Sequence, residues 1–278
     1  MLTLPSILGD ADIPFAMVPG NHDYDNYNWY SDNNGPGSNR PLKGATVWNQ
    51  YFGANSHHFA NKSWYRGGGA YGNDMNSFQI IDKDDFKFLH LALEMEPTTD
   101  DLLWAQRVLD GNPNLPVIIT THEWLVPSLD KNSPWANDYD AYFKGTSHLS
   151  PDKVWDRFVR KNKNIFMILS GHAWTPTVEG ISNGENLRID KNDDGYPVYQ
   201  LLQDYQGNTI GPDGKPGSAN GGGGWLRFIE FDTEAKKIHF YTYSTLLNKY
   251  AGKNGERTFN IPAEYSDFEL DFPPQLLN

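Results

Sequence analysis

The sequence predicts a mixed α/β (α+β) protein in which helices cover a sheet. In the middle of the chain, short apolar runs typical of buried strands alternate with segments of helical periodicity. In the C-terminal third, strand patterns follow one another without helices, which predicts antiparallel pairing. The predicted strands are Phe15–Val18, Phe78–Ile81, Phe88–Leu93, Val117–Thr121, Ile165–Ser170, Val198–Leu202, Trp225–Phe231 and Ile238–Tyr243.

Two helices between these strands are indicated by capping residues and an apolar stripe. The first is capped by Thr99 or Asp100, and Gly111 with the following Asn-Pro ends it. The second is capped by Ser150, with Pro151 in its first position. Residues 4–8 are interpreted as the end of a further helix. The apolar positions of the two helices are Leu102, Ala105, Val108, Leu109, Val154, Trp155, Phe158 and Val159.

Composition excludes several classes of protein. The 278 residues include no Cys, which excludes a disulfide scaffold, a thiolate metal site and a Cys nucleophile. With 23 Lys and Arg against 35 Asp and Glu, the net charge of −12 argues against nucleic acid as a partner. The longest apolar run, Ile165–Leu169, falls far short of the ~18 residues that a membrane-spanning helix needs. The chain shows no repeat, so residues 1–278 are expected to form a single domain.

Polar side chains follow three of the predicted strands directly. Asn21 lies in the Gly-Asn-His-Asp stretch after the first strand, and His122 and His172 follow two later ones. Each of these histidines alone is more often a hydrogen-bonded loop residue than a ligand. Because ligand sites form beyond the carboxyl ends of parallel strands, their joint occurrence predicts that the three side chains meet. Two imidazoles and an amide oxygen suit Zn, Fe or Mn.

These residues resemble the later motifs of the calcineurin-like metallophosphoesterases, the superfamily that includes the purple acid phosphatases. The resemblance rests on Gly20-Asn21-His22-Asp23, on His122 after a buried strand, and on Gly171-His172. Stretches near residues 201–206 and 223–227 are similar to secreted or periplasmic bacterial members. The likeness covers most of the chain.

The resemblance implies a layered α/β/β/α sandwich and a metal-dependent hydrolase of phosphoric esters, either a phosphomonoesterase or a phosphodiesterase. In the complete family site, two divalent ions share a bridging hydroxide that attacks phosphorus. Asn21, His122 and His172 correspond to ligands of one of the two metals. His22 corresponds to the group that protonates or stabilises the leaving oxygen, and Asp23 is expected to orient the same loop.

The sequence also departs from the family pattern. The family's opening Asp-x-His motif is absent, and Gly9-Asp10 stands too close to the next strand to be the Gly-Asp motif. Trp174 replaces the second histidine that the family carries after Gly-His. We therefore expect that the chain either lacks N-terminal strands with these motifs or is a degenerate relative. It is expected to bind one metal instead of two, and to hydrolyse esters poorly or not at all.

An alternative function from another class stays open. The same scaffold can serve as a non-catalytic binding module for carbohydrate or nucleotide, because 14% of the residues are aromatic and many lie in predicted loops. For the enzyme, the expected partner is a small phosphate ester. The resemblance and the aromatic, Asn-rich loops favour an extracytoplasmic (periplasmic or secreted) location, although the first twenty residues do not form a signal peptide. No oligomeric state is predicted.

Overall fold

The computed structural model describes residues 4–27, 41–69, 74–83, 86–128, 135–137, 142–178, 181–206, 222–252 and 263–277. The helices in these ranges are α1 (Leu4–Asp10), α2 (Thr46–Phe52), α3 (Thr99–Asp110), α4 (Pro151–Arg157) and α5 (Ala263–Ser266). The strands are β1 (Tyr65–Arg66), β2 (Ser77–Lys83), β3 (Phe86–Ala92), β4 (Val117–Thr120), β5 (Ile165–Ser170), β6 (Thr175–Val178), β7 (Ile181–Asn183), β8 (Glu185–Lys191), β9 (Pro197–Gln203), β10 (Trp225–Asp232), β11 (Lys237–Ser244), β12 (Lys249–Ala251) and β13 (Asp267–Asp271).

A large mixed sheet forms the centre of the molecule. Within the described ranges it has seven strands in the order β1-β2-β3-β4-β5-β9-β8. The four central strands β3, β4, β5 and β9 run parallel, and the outer strands pair with them or with each other antiparallel. The carboxyl ends of four parallel strands therefore lie along one edge of the sheet.

Helices α3 and α4 cover one face of this sheet. The period-2 alternation of β4 sends Val117 and Ile119 to this face, where they pack with helix residues such as Leu102 and Val154. Helix α3 begins where Thr98 caps it, one or two residues before the predicted cap, with Asp101 completing a capping box. Helix α4 follows Ser150 and has Pro151 in its first turn, as predicted.

A second, antiparallel sheet covers the other face. It contains β10, β11 and β12 in that order, with β13 also paired to β11. Ile238 and Phe240 of β11 point inward and pack against Ile118 and Phe166 of the large sheet. The pairing confirms the antiparallel arrangement predicted for the C-terminal third, and the layers confirm the mixed α/β class.

The predicted strand Phe15–Val18 is wrong. Residues 13–20 have no strand pairing in the described structure, because no neighbouring strand offers them a ladder. The segment instead borders a cavity of about 230 Å³ against β2, β3 and β4, lined by Phe15, Phe88 and His90 among others. The region between Asp23 and Gly72, predicted to be irregular, contains α2 and β1.

The helices of the described ranges are short or amphipathic. None of them has both the length and the continuous apolar character needed to cross a membrane.

Candidate metal site

The two histidines of the site come from neighbouring parallel strands, β4 and β5. Backbone hydrogen bonds continue the ladder beyond the strand ends: Thr121 N–H donates to Leu169 C=O, and Gly171 N–H donates to His122 C=O, both at 3.0 Å. His122 and His172 therefore leave the sheet side by side. Nδ1 of His172 lies 2.9 Å from Nε2 of His122.

Asn21 reaches the same place from a single 3₁₀ turn formed with the two residues after it. The Gly20 N–H donates to the Asp23 carboxylate at 2.8 Å, which closes the turn. Oδ1 of Asn21 lies 3.1 Å from Nε2 of His122, although 101 residues separate them in the sequence. Nδ2 of the same amide donates to the Tyr142 hydroxyl at 3.1 Å, so the oxygen end of the amide faces the imidazoles.

Gly20 allows this turn to lie directly on the His122 ring. A Cβ atom at position 20 would be 2.7 Å from Cε1 of His122 and 2.9 Å from its Nε2, closer than any real contact. The φ and ψ angles of Gly20, −96° and 178°, are open to any residue. Glycine is therefore needed at position 20 because a side chain would clash with the His122 ring, and not because of the backbone conformation.

His172 has a left-handed backbone conformation, with φ of +68°. Residues other than glycine adopt this region rarely, and the strain costs about 1–2 kcal/mol. The Ala173 N–H donates to Gly171 C=O at 2.8 Å across this residue, which holds the tight turn. Strained conformations of this kind are concentrated at functional sites, because the strain directs a side chain into position.

The electrostatic environment keeps the His122 imidazole neutral. Burial, followed by the like charges of His172 and His22, lowers the pKa of His122 to about 3. A neutral imidazole has one N–H and one lone pair, so Nε2 of His122 cannot satisfy both a carbonyl oxygen and a second imidazole lone pair. Whichever neutral tautomers the two rings adopt, one of the two contacts of Nε2 is therefore left without a hydrogen bond of its own. With both ring nitrogens unprotonated, Oδ1 of Asn21, Nε2 of His122 and Nδ1 of His172 all offer lone pairs at this place.

This donor set fits a divalent cation. Two donors bound in adjacent positions at about 2.1 Å from one metal lie about 3 Å apart, which matches the separations found here. Within the described ranges, no group of three or more His, Asp or Glu side chains is arranged to hold a metal. The candidate set is therefore limited to two imidazoles and an amide, without a carboxylate.

His22 and Asp23 lie on the outer side of the Asn21 turn, and both are exposed. Burial lowers the pKa of His22, Asp23 raises it and the charge of His172 lowers it, so His22 lies within electrostatic range of the site. The His22 ring packs against Tyr27, with ring centroids 4.3 Å apart. Asp23 acts on the backbone of the turn through its bond to Gly20.

The structure adds residues that sequence reasoning missed. Tyr142 orients the Asn21 amide, and nothing in the sequence near it indicates this role. Asp204 follows β9 at the same edge, where burial raises its pKa while the Gln206 N–H and the charge of His172 lower it. The rule that pointed to His122 and His172 also applies to Asp204, and could have found it. Asp10 lies at the end of α1 beside His57, with 3.7 Å between Oδ1 and Nε2, and makes no contact with the three donors.

Comparison with known proteins gives two matches. The sequence pattern of the calcineurin-like phosphoesterases matches residues 2–175. The uncharacterized protein YvnB of Bacillus subtilis (strain 168) is 28% identical over 274 residues, which is 98% of this chain and 17% of that protein. The chain therefore spans about a sixth of the length of this curated relative. No solved structure matches.

Proposed function

Since the chain belongs to the calcineurin-like phosphoesterase family, we propose that it hydrolyses phosphoric esters with a divalent metal held by Asn21, His122 and His172. The observation that carries the proposal is that three atoms able to act as metal ligands, from three separate segments, lie within 3.1 Å of their neighbours. Zn, Fe and Mn suit this nitrogen and oxygen set. When bound, such an ion supplies Lewis acidity and activates water.

The residues around the proposed metal determine its charge and the orientation of its ligands. The ligand set is neutral, so a bound cation keeps its full charge for an anionic phosphate group. Tyr142 fixes the Asn21 amide with its oxygen inward. His22, exposed on the same turn, is placed to donate a proton to the leaving oxygen of a small phosphate ester. Asp23 holds the turn through Gly20. We also propose an extracytoplasmic location for the protein.

The test measures metal binding and hydrolysis on the same samples. Calorimetric titration with Mn²⁺ and Zn²⁺ is combined with hydrolysis of p-nitrophenyl phosphate and bis(p-nitrophenyl) phosphate by the 278-residue chain. We expect weak binding of one cation and low turnover. We expect H122A and N21A to lower the metal affinity at least tenfold. H239A is the matched control, because His239 is paired with Asp267 on the second sheet. Equal metal affinity in H122A and H239A would refute the assignment.

A second function is favoured by one observation. The described residues offer no His, Asp or Glu triad for a further metal, which fits a non-catalytic module that binds carbohydrate or nucleotide. The two functions predict different results in the same assay. Metal binding without any turnover supports the module. Robust turnover with two metals per molecule contradicts the expectation of a single weak site.

A further inference from the structure

Glu94 lies directly behind the proposed metal site and connects two of its segments. It is the second residue after β3, and its side chain is buried, with 2% of the residue exposed. By the register of β3 and β4, which pairs Ala92 with Thr120, Glu94 is level with His122 at the edge of the sheet. A buried carboxylate costs free energy unless several hydrogen bonds compensate for it, so its contacts are informative.

The first contact reaches the Asn21 turn. The hydroxyl of Tyr24 donates to Oε2 of Glu94 at 2.9 Å. Tyr24 follows Asp23 directly, and its side chain is also buried. Burial and then the Glu94 charge raise the pKa of Tyr24 well above its usual value, so the hydroxyl stays a donor. Glu94 therefore fixes the end of the turn that carries Asn21.

The second contact reaches the His122 segment. The Thr121 hydroxyl donates to the backbone C=O of Glu94 at 3.1 Å. Thr121 is the residue immediately before His122, and it is buried. A single residue thus holds Tyr24 with its side chain and Thr121 with its backbone. One of these contacts holds the segment that carries Asn21 and the other holds the segment that carries His122, and the two side chains approach each other to 3.1 Å.

Other buried groups hold Glu94 itself. Asn76 donates from Nδ2 to Oε1 of Glu94 at 2.8 Å and accepts from the Glu94 N–H at 2.9 Å. The same Nδ2 donates to Asp101 at 3.2 Å, and Asp101 caps helix α3. Nε2 of His148 is 3.8 Å from Oε2 of Glu94. Glu94 is therefore fixed by the sheet and by the first turn of α3.

We propose that Glu94 is a positioning residue, which sets the separation of Asn21 and His122 by holding Tyr24 and Thr121. The inference rests on the proposed function, because it concerns the geometry of the same site. A buried carboxylate is poor evidence for stability alone, since apolar replacements of buried ion pairs are often neutral or stabilising. Its bonds to both ligand-bearing segments give it a role in geometry instead.

The test separates geometry from stability by comparing single hydroxyl deletions. Y24F removes the donor to Glu94, and Y199F removes a buried hydroxyl that donates to Asp271 C=O at 2.9 Å, far from the site. Both variants lose one hydrogen bond of the same length, and Y24F should lower the thermal midpoint more than Y199F, because Tyr24 donates to a carboxylate and Tyr199 to a neutral carbonyl. The deciding readout is therefore the metal affinity of the folded variants. We expect Y24F to weaken Mn²⁺ or Zn²⁺ binding measurably in calorimetry, and Y199F to leave it unchanged.

E94Q is the more direct variant. Glutamine can accept from Asn76 through Oε1, but it then presents an N–H to Tyr24, so the charge-assisted bond from the Tyr24 hydroxyl is lost and only a weaker neutral bond in the reverse direction can replace it. We expect a 10–100-fold loss of metal affinity, as found for residues that orient metal ligands. The double variant Y24F/E94Q should bind within about twofold of E94Q, because both changes act through one contact.

The possible failures are distinguishable. Wild-type metal affinity in folded E94Q and Y24F overturns the role of Glu94 and leaves the proposed function standing. A folded wild-type chain that binds no metal overturns the proposed function, and this inference with it. Should E94Q not fold, the comparison of Y24F with Y199F still decides the question.

Discussion

Replacing Gly20 with Ala tests the close approach on which the site geometry depends. The added Cβ would lie 2.7 Å from Cε1 of His122, whereas ordinary contact begins at 3.4 Å. The ring or the turn must therefore move by about 0.7 Å. Misplacement on this scale can lower function by about 100-fold, and overpacking costs about 1–3 kcal/mol of stability. Because the backbone angles of Gly20 suit alanine, conformational strain adds little.

The assay measures metal affinity by calorimetry and the free energy of unfolding by urea denaturation. We expect G20A to lose at least tenfold in metal affinity and about 1–3 kcal/mol of stability. G111A is the matched control, since a Cβ there meets only the C=O groups of Arg107 at 3.4 Å and Val108 at 3.6 Å, with Gly111 in the right-handed region. G111A should leave metal affinity unchanged. Equal affinities in G20A and G111A would show that the Gly20 turn does not set the position of His122.

Three further predictions concern strain, pH and packing. H172G should be about 1 kcal/mol more stable than H172A, because glycine accepts the φ of +68° without strain, and both variants should lose metal affinity. Equal free energies of unfolding in the two variants would contradict the assignment of backbone strain to His172. Burial lowers the pKa of His90 to about 4, so the folded state binds fewer protons than the unfolded state between pH 4 and 6.5. His90 should therefore lower the free energy of unfolding by about 3 kcal/mol as the pH falls from 7 to 4. The difference in urea midpoint between wild type and H90Q should change over the same pH range; a difference that stays constant with pH would refute the prediction. F240A, which empties a fully buried position between the sheets, should lose about 3–5 kcal/mol, and F228A, on the exposed outer face, should lose far less.

Strands and helices with complete local patterns were predictable from the sequence. The apolar run Ile165–Ser170 forms β5 with the same bounds, because continuous burial on both faces leaves a run without polar interruptions. The cap of helix α3 was predicted at Thr99 or Asp100, one or two residues beyond Thr98, because the reciprocal bonds between Thr98 and Asp101 that fix the cap were not recognised in the sequence.

The error at Phe15–Val18 has a different origin. An apolar run records that a segment is partly buried, but a strand also requires a neighbour with which to exchange hydrogen bonds. Phe15 does pack, with its ring 4.8 Å from that of Phe59, although its backbone pairs with no strand of the described ranges. Sequence periodicity contains no information about the presence of such a neighbour.

Some residues of the candidate site could likewise be predicted from the sequence, and others could not. His122 and His172 could be brought together from the sequence, because each follows a strand that forms and parallel strands end at one edge. Asn21 was joined to them on the basis of the Phe15–Val18 strand, which does not form, so its position was predicted correctly from a wrong premise. Tyr142 and Glu94 could not be predicted, because their contacts with Asn21 and Tyr24 join residues 121 and 70 positions apart without any shared pattern. Such contacts become visible only when the layers are packed.

The wide spacing of the three donors has a thermodynamic consequence. Asn21 and His122 are 101 residues apart and His122 and His172 are 50 apart, so the unfolded chain cannot gather them without paying for two large loop closures. A cation that occupies the site thus selects the folded state. At a free concentration 100 times its dissociation constant, it adds about 2.7 kcal/mol to the free energy of unfolding. Removal of the cation from protein loaded to that level should lower the free energy of unfolding by the same amount.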